Sequence, residues 1–188
     1  MRPTRPGFYA VLICFLTLSN PLLAQSFLPT GPHVFNYNYA EVKYLDVGSA
    51  DGFAVAGSAD IRSNIAINAE FASLSAGSAD LDLLSIGAVS YIGSKAYSQA
   101  DWVFGVGLDF ADANGNSDAG VSVRGGVRYA LTDALELNGA IELSTIDDAD
   151  LSLELAALYE IATGFAALVE ADIGEDTAIG VGLRFYWR

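Results

Sequence analysis

The closing stretch AIGVGLRFYWR sets Ile179, Val181, Leu183, Phe185 and Trp187 on every second position, with Gly180, Gly182, Arg184 and Tyr186 between them. A period of two belongs to the β-strand, whose successive side chains point to opposite faces. One face of this strand is therefore wholly apolar, and the other is small or polar. The division recurs upstream. DWVFGVGLDF sets Trp102, Phe104, Val106, Leu108 and Phe110 against Asp101, Gly105, Gly107 and Asp109. ALELNGAIELS sets Leu135, Leu137, Ile141 and Leu143 against Glu136, Asn138, Glu142 and Ser144. LSLELAALYE and GVSVRGGVRY repeat the pattern, the first with Glu154 and the second with Arg124 and Arg128 on the polar side.

Read in this way the chain holds ten strands, at 35–47, 52–61, 65–76, 81–93, 101–111, 119–131, 134–146, 151–161, 165–173 and 177–187. Eight is the other count. The first strand is irregular: in FNYNYAEVKYLDV the apolar phase shifts near Ala40, which predicts a bulge. Tilted membrane strands need about 9–11 residues, and these segments are near that length. A soluble sandwich would bury the apolar face between two sheets and leave Glu142, Glu154, Arg124, Arg128 and Arg184 in water. A membrane barrel turns the same pattern inside out, with the apolar face to lipid and the charges in the lumen. It also has no open sheet edge, which lipid would penalise heavily. The fold class read from the sequence is therefore all-β, an antiparallel up-and-down transmembrane β-barrel.

The links support a two-sided arrangement. DVGSADG, SAGSADLD, ADANGNSDAG, IDDAD and GEDTA follow the odd-numbered strands and are rich in aspartate and glycine. IRSN, GSKAYSQA, LTDA and ATG follow the even-numbered ones and contain Arg62 and Lys95. In an up-and-down barrel the two sets lie on opposite sides of the membrane, and the odd set is expected to form acidic outer loops.

Ahead of the strands, MRPTRPGFY carries Arg2 and Arg5, residues 10–18 are an apolar run, and Pro21 and Ala24 follow. A basic head, a short apolar run and a small-residue exit make a secretory signal peptide. Residues 1–24 are read as that signal, with cleavage after Ala24 or after Ser26, residues 25–34 as a short lead-in, and residues 35–188 as the barrel. The one cysteine, Cys14, lies within the signal, so no disulfide is expected. The full chain has 9 basic and 23 acidic residues. Loss of Arg2 and Arg5 leaves 9 − 2 = 7 basic against 23 acidic, a net charge of −16. Nucleic acid is excluded as a partner, because binding it needs cations that neutralise phosphates.

Catalysis finds little support. The one histidine, His33, stands ahead of the first strand, away from any acid or nucleophile on the outer loops. No enzyme activity and no cofactor are expected. DANGNSDAG spaces Asp112, Asn114, Asn116 and Asp118 as oxygen ligands are spaced in a calcium loop. Ser117 stands where such loops want glycine and Val123 where they want glutamate, so a solvated charged turn is the favoured reading. Asp147, Asp148 and Asp150 could add oxygens from a neighbouring loop. Arg124, Arg128 and Arg184 with Glu142 and Glu154 form the expected lumen charge network, joined by Lys43, Glu70, Glu160 and Glu170. Confined opposite charges pair, because unpaired they are costly. A plugged, ion-paired interior is therefore expected, with a narrow cation-preferring pore as the alternative.

NYNYAEVKYLDV, DGFAVAGSADI, ALTDALELNGAIE and GVGLRFYWR together resemble the small proteobacterial outer-membrane β-barrel proteins, loosely the OmpA/OmpX-like porin group. The resemblance spans the whole exported chain as a pattern. It implies an outer-membrane location and insertion by the outer-membrane assembly machinery, with Leu183, Phe185 and Trp187 as the C-terminal signal. Arg188 after Trp187 departs from that pattern. The expected partners are outer-membrane lipid and lipopolysaccharide, and the expected state is a monomer with a structural or surface-interaction role.

Overall fold

The structure, a computed structural model, describes residues 30–31, 34–146, 149–175 and 177–187. The predicted signal, Cys14, His33, Asp147, Asp148 and Arg188 lie outside the described residues. A two-residue strand β1 (Thr30–Gly31) precedes ten long ones: β2 (Tyr39–Val47), β3 (Ala50–Arg62), β4 (Ile65–Ala76), β5 (Ala79–Ser94), β6 (Ala100–Ala113), β7 (Asn116–Ala130), β8 (Leu135–Ser144), β9 (Asp150–Ala162), β10 (Phe165–Ile173) and β11 (Thr177–Tyr186). Each of the ten pairs antiparallel with its neighbours in sequence. The last closes on the first, from Ala178 opposite Val47 to Tyr186 opposite Tyr39. This is a closed ten-stranded up-and-down barrel, as the alternation predicts. β1 pairs with the far end of β5, at Ser94 and Gly93, where β4 has already stopped.

The faces are inverted relative to a soluble protein. Val42, Phe53, Val55, Ile67, Phe71, Leu108, Val121, Val123, Ile141, Leu153, Val181 and Leu183 all stand exposed on the outer wall. Lys43, Glu70, Asp101, Asp109, Ser122, Glu142, Glu154, Asp172 and Arg184 are buried within. Only an apolar surrounding makes that arrangement stable, because water would reward the reverse.

Two expectations about boundaries change. The first barrel strand begins at Tyr39 and not at residue 35, and no register shift interrupts either ladder of β2. The apparent change of phase near Ala40 comes from Phe35, Tyr37 and Tyr39, which are buried together with Glu41 and Lys43. Aromatics occupy the inner face at one end and charges at the middle, so hydrophobicity changes side while geometry does not. The irregularities fall elsewhere, between Asp60 and Arg62 and between Phe165 and Ala166.

The odd links also differ from loops. In the first three of them ladder pairing runs through the aspartates, and β2–β3, β4–β5 and β6–β7 turn on residues 48–49, 77–78 and 114–115. Gly48, Gly77, Asn114 and Gly115 have positive φ of 60°, 65°, 54° and 81°. Asn-Gly with both residues left-handed is the tight hairpin turn whose twist matches that of paired strands. The acidic residues Asp46, Asp51, Asp80, Asp82, Asp112 and Asp118 therefore stand exposed on strand ends.

Candidate functional site: the barrel lumen

Inward-facing side chains form three layers. At the odd-link end Leu45, Val47, Ala54, Ala72, Leu74, Leu81, Leu83, Ile146 and Ala178 pack into an apolar cluster. At the end where β2 starts and β11 finishes, Phe35, Tyr37, Ala66, Val89, Tyr91 and Val103 form a second cluster, and Leu158, Ala166 and Leu168 a third. Charge is concentrated between these ends.

The centre of that belt is Lys43, whose Nζ lies 2.8 Å from Glu170 Oε1, 3.2 Å from Glu70 Oε2 and 3.4 Å from Glu41 Oε1. Three carboxylates thus surround one ammonium, which donates its hydrogen bond to Glu70. Glu41 also accepts from Arg184 Nε at 2.6 Å, and that guanidinium lies 4.1 Å from the centre of the Tyr39 ring. Two glycines of β11 make room for the cluster. A Cβ on Gly180 would meet Glu170 Oε1 at 2.7 Å, and one on Gly182 would meet Lys43 Cγ at 3.0 Å. Arg124 pairs with Glu154 and stands opposite Glu142 across the β7–β8 ladder. Arg128 grips Glu136 with two bonds, from Nε to Oε1 at 2.7 Å and from Nη2 to Oε2 at 3.0 Å.

The structure thus brings the three arginines and both glutamates of the sequence-derived network onto the inner wall, each arginine with an acid. Glu160 lies instead at the mouth. Glu41, Asp101, Asp109, Glu136 and Asp172 had no place in that network. Strand parity marks every one of them as inward, since each stands an even number of residues from another inward group. Glu41, Glu70, Asp109, Glu142, Glu154, Glu170 and Asp172 face Lys43, Arg124 and Arg184 in the central belt, so the belt is predominantly acidic.

Little space remains. A cavity of about 60 Å³ lies among Tyr39, Lys43, Arg124, Glu154, Glu170 and Arg184, room for a handful of waters. A wider vestibule of about 690 Å³ opens at the end of the barrel that holds Trp187, lined by Arg128, Glu136, Glu160, Leu158 and Tyr186.

The weaker candidate sites are placed as follows. Asp112 Oδ1 accepts the Gly115 N–H at 3.0 Å and Oδ2 the Ser117 hydroxyl at 2.8 Å. Asn114 Oδ1 accepts the Asp80 N–H at 3.3 Å, Asn116 Nδ2 donates to the Ala113 carbonyl at 3.5 Å, and Asp118 Oδ1 accepts the Ala119 N–H at 2.7 Å. These oxygens serve the turn itself. Among the described residues no group of three or more histidine, cysteine or acidic side chains is placed to hold a metal ion. Leu183, Phe185 and Trp187 lie on the outer wall, with Phe165, Phe185 and Trp187 forming a run of ring contacts.

No known family profile matches the sequence, and no curated relative does. Among solved structures the chain is similar to the NanC porin, with TM-score 0.55 and 9% identity over 80% of this chain and 100% of that one. It is also similar to the KdgM porin, with TM-score 0.52 and 10% identity over 80% of this chain and 99% of that one. At such identities the likeness concerns the fold: this chain has the barrel architecture seen in porins.

Proposed function

We propose that this protein is a monomeric, non-enzymatic outer-membrane β-barrel with a structural or surface-interaction role, whose lumen is closed by its own side chains. The observation that carries this reading is the charged belt held between apolar layers. Lys43 is ion-paired with three carboxylates, the arginines are paired, and a layer of leucine, valine and alanine lies across the odd-link end. An ion crossing such an interior would have to displace a buried pair and then pass an apolar layer, and both steps are costly. Export through the cleaved signal, insertion through the terminal aromatic strand, lipopolysaccharide as neighbour and affiliation with the OmpA/OmpX-like group belong to this proposal. In it the termini face the periplasm and the acidic strand ends face outward.

Planar-bilayer recording of the purified protein tests the reading. The expected result is a silent bilayer at neutral pH, with no steady openings. Steady cation-selective openings would overturn it in favour of a second reading, a narrow passive channel for small solutes. The open vestibule and the acid excess of the belt favour that alternative, and the likeness in fold to two porins is compatible with it.

A further inference from the structure

Residues 34–38 precede β2 and cross the mouth of the lumen without joining a strand. Two of their amides are satisfied by a side chain in place of a ladder. Val34 and Phe35 N–H donate to the Asp101 carboxylate at 3.0 and 3.3 Å, and the Tyr37 hydroxyl donates to it at 3.2 Å. Asp101 is fully buried, so these three bonds are what satisfies its carboxylate at the mouth, and losing one is costly. From β7, where it stands beside Asp101 in the β6–β7 ladder, Arg128 places its guanidinium 4.6 Å from the Phe35 ring centre and 4.5 Å from that of Tyr37. Its Nη1 donates to the Asn36 carbonyl at 3.3 Å. Tyr37 stacks flat on Tyr91 with ring centres 3.6 Å apart. Arg128 lines both the central cavity and the vestibule, while Tyr37 faces the first and Phe35 the second.

We propose that residues 34–38 are a strap that separates vestibule from central cavity, latched by Asp101 and Arg128, and that its release joins the two. Asn38 is tied to β11 by one backbone bond, from the Trp187 N–H to its carbonyl at 3.1 Å, but residues 34–37 are held by side chains, whereas the barrel closes through the β2–β11 ladder from Tyr39 opposite Tyr186 onward. The strap can therefore leave while the barrel stays shut, a local opening of lower free energy than unfolding. Release leaves the apolar layer at the far end in place, so the cavity becomes reachable from one side and no through-path forms.

Thiol accessibility tests this in the full chain carrying Cys14→Ser. Ser58 is buried on β3 and lines the cavity, so Ser58→Cys reports entry of a small charged methanethiosulfonate. Ser78, exposed at the β4–β5 turn, supplies the control as Ser78→Cys. Asp101→Asn should speed labelling at position 58 about tenfold or more, the factor that loss of one charge-assisted hydrogen bond carries. Replacing residues 34–37 by Gly-Ser-Gly-Ser should do the same and keeps the test available if Asp101→Asn folds poorly, folding being read from heat-modifiability on gels. The rate at position 78 should not change. Equal rates at position 58 with and without the strap would overturn the proposal, as would a parent rate as fast as that of the control. Openings in the parent protein would count against the closed lumen yet leave the labelling difference to be read. Silent bilayers with no labelling difference would count against the strap alone.

Discussion

Lys43 is the side chain on which most of the interior turns. It is buried, and its ammonium is the shared partner of Glu41, Glu70 and Glu170. Lys43→Ala leaves those carboxylates in a low-dielectric space with Arg184 as the cation beside one of them. Removing one partner of a buried ion pair costs about 3–5 kcal/mol. The expected outcome is a clear fall in the urea midpoint of the purified barrel, followed by tryptophan fluorescence, and an unchanged midpoint would show that the cluster is not structural. The glycines beside it give a finer comparison. Gly180→Ala forces a methyl group against Glu170 and should cost about 1–3 kcal/mol, as overpacking does. Gly125→Ala adds a methyl with no atom within 4 Å and should leave the midpoint where it is. Equal effects from the two would remove the steric account of β11.

At the scale of elements, the terminal strand and the odd turns carry the sharpest expectations. Phe185 and Trp187 are outward on β11 and its last step. Changing both to serine removes lipid-facing aromatic area and should lower the folded fraction in the outer membrane, read by heat-modifiability. An undiminished folded fraction would assign assembly to another element. The β6–β7 turn should lie outside the cell, so a short tag beside Asn116 should be reached by antibody on intact cells. Detection only after the outer membrane is broken would invert the topology. Calcium at this turn is expected to screen charge and not to fill a site, because Asp112 spends its two oxygens on Gly115 and Ser117. Monovalent salt should then reproduce its effect, whereas a saturable heat of binding abolished by Asp112→Asn with Asp118→Ala would establish a site.

For the whole molecule, the acid excess of the belt should set the sign of any current that damage releases. Arg124→Ala with Arg128→Ala removes the cations that pair with Glu154 and Glu136; stability should fall, and leak currents recorded in bilayers should prefer cations. Anion-preferring leaks would show that the belt does not govern the lumen. Much of this molecule was legible in the sequence. The strict two-residue period across DWVFGVGLDF or ALELNGAIELS settles which residues share a wall, because a strand can only alternate. The two-faced pattern, apolar against charged, settles that the wall is inverted. Strand ends were less legible: Asp51 and Asp80 read as loop residues because aspartate favours turns, yet the tight Gly48 and Gly77 turns draw them into the ladders. The aromatic start FNYNY read as the head of a strand with a bulge near Ala40, since the sequence records apolarity and not direction. Partnership was out of reach altogether. Parity places Glu41, Lys43, Glu70 and Glu170 inside, but the meeting of all four depends on barrel closure, which brings β2 beside β11 and aligns Lys43 with Gly182. The latch between Asp101 and residues 34–37 likewise joins groups more than sixty positions apart. Alternation is local and survives in one dimension, whereas pairing across a lumen is decided only when the tenth strand returns to the first.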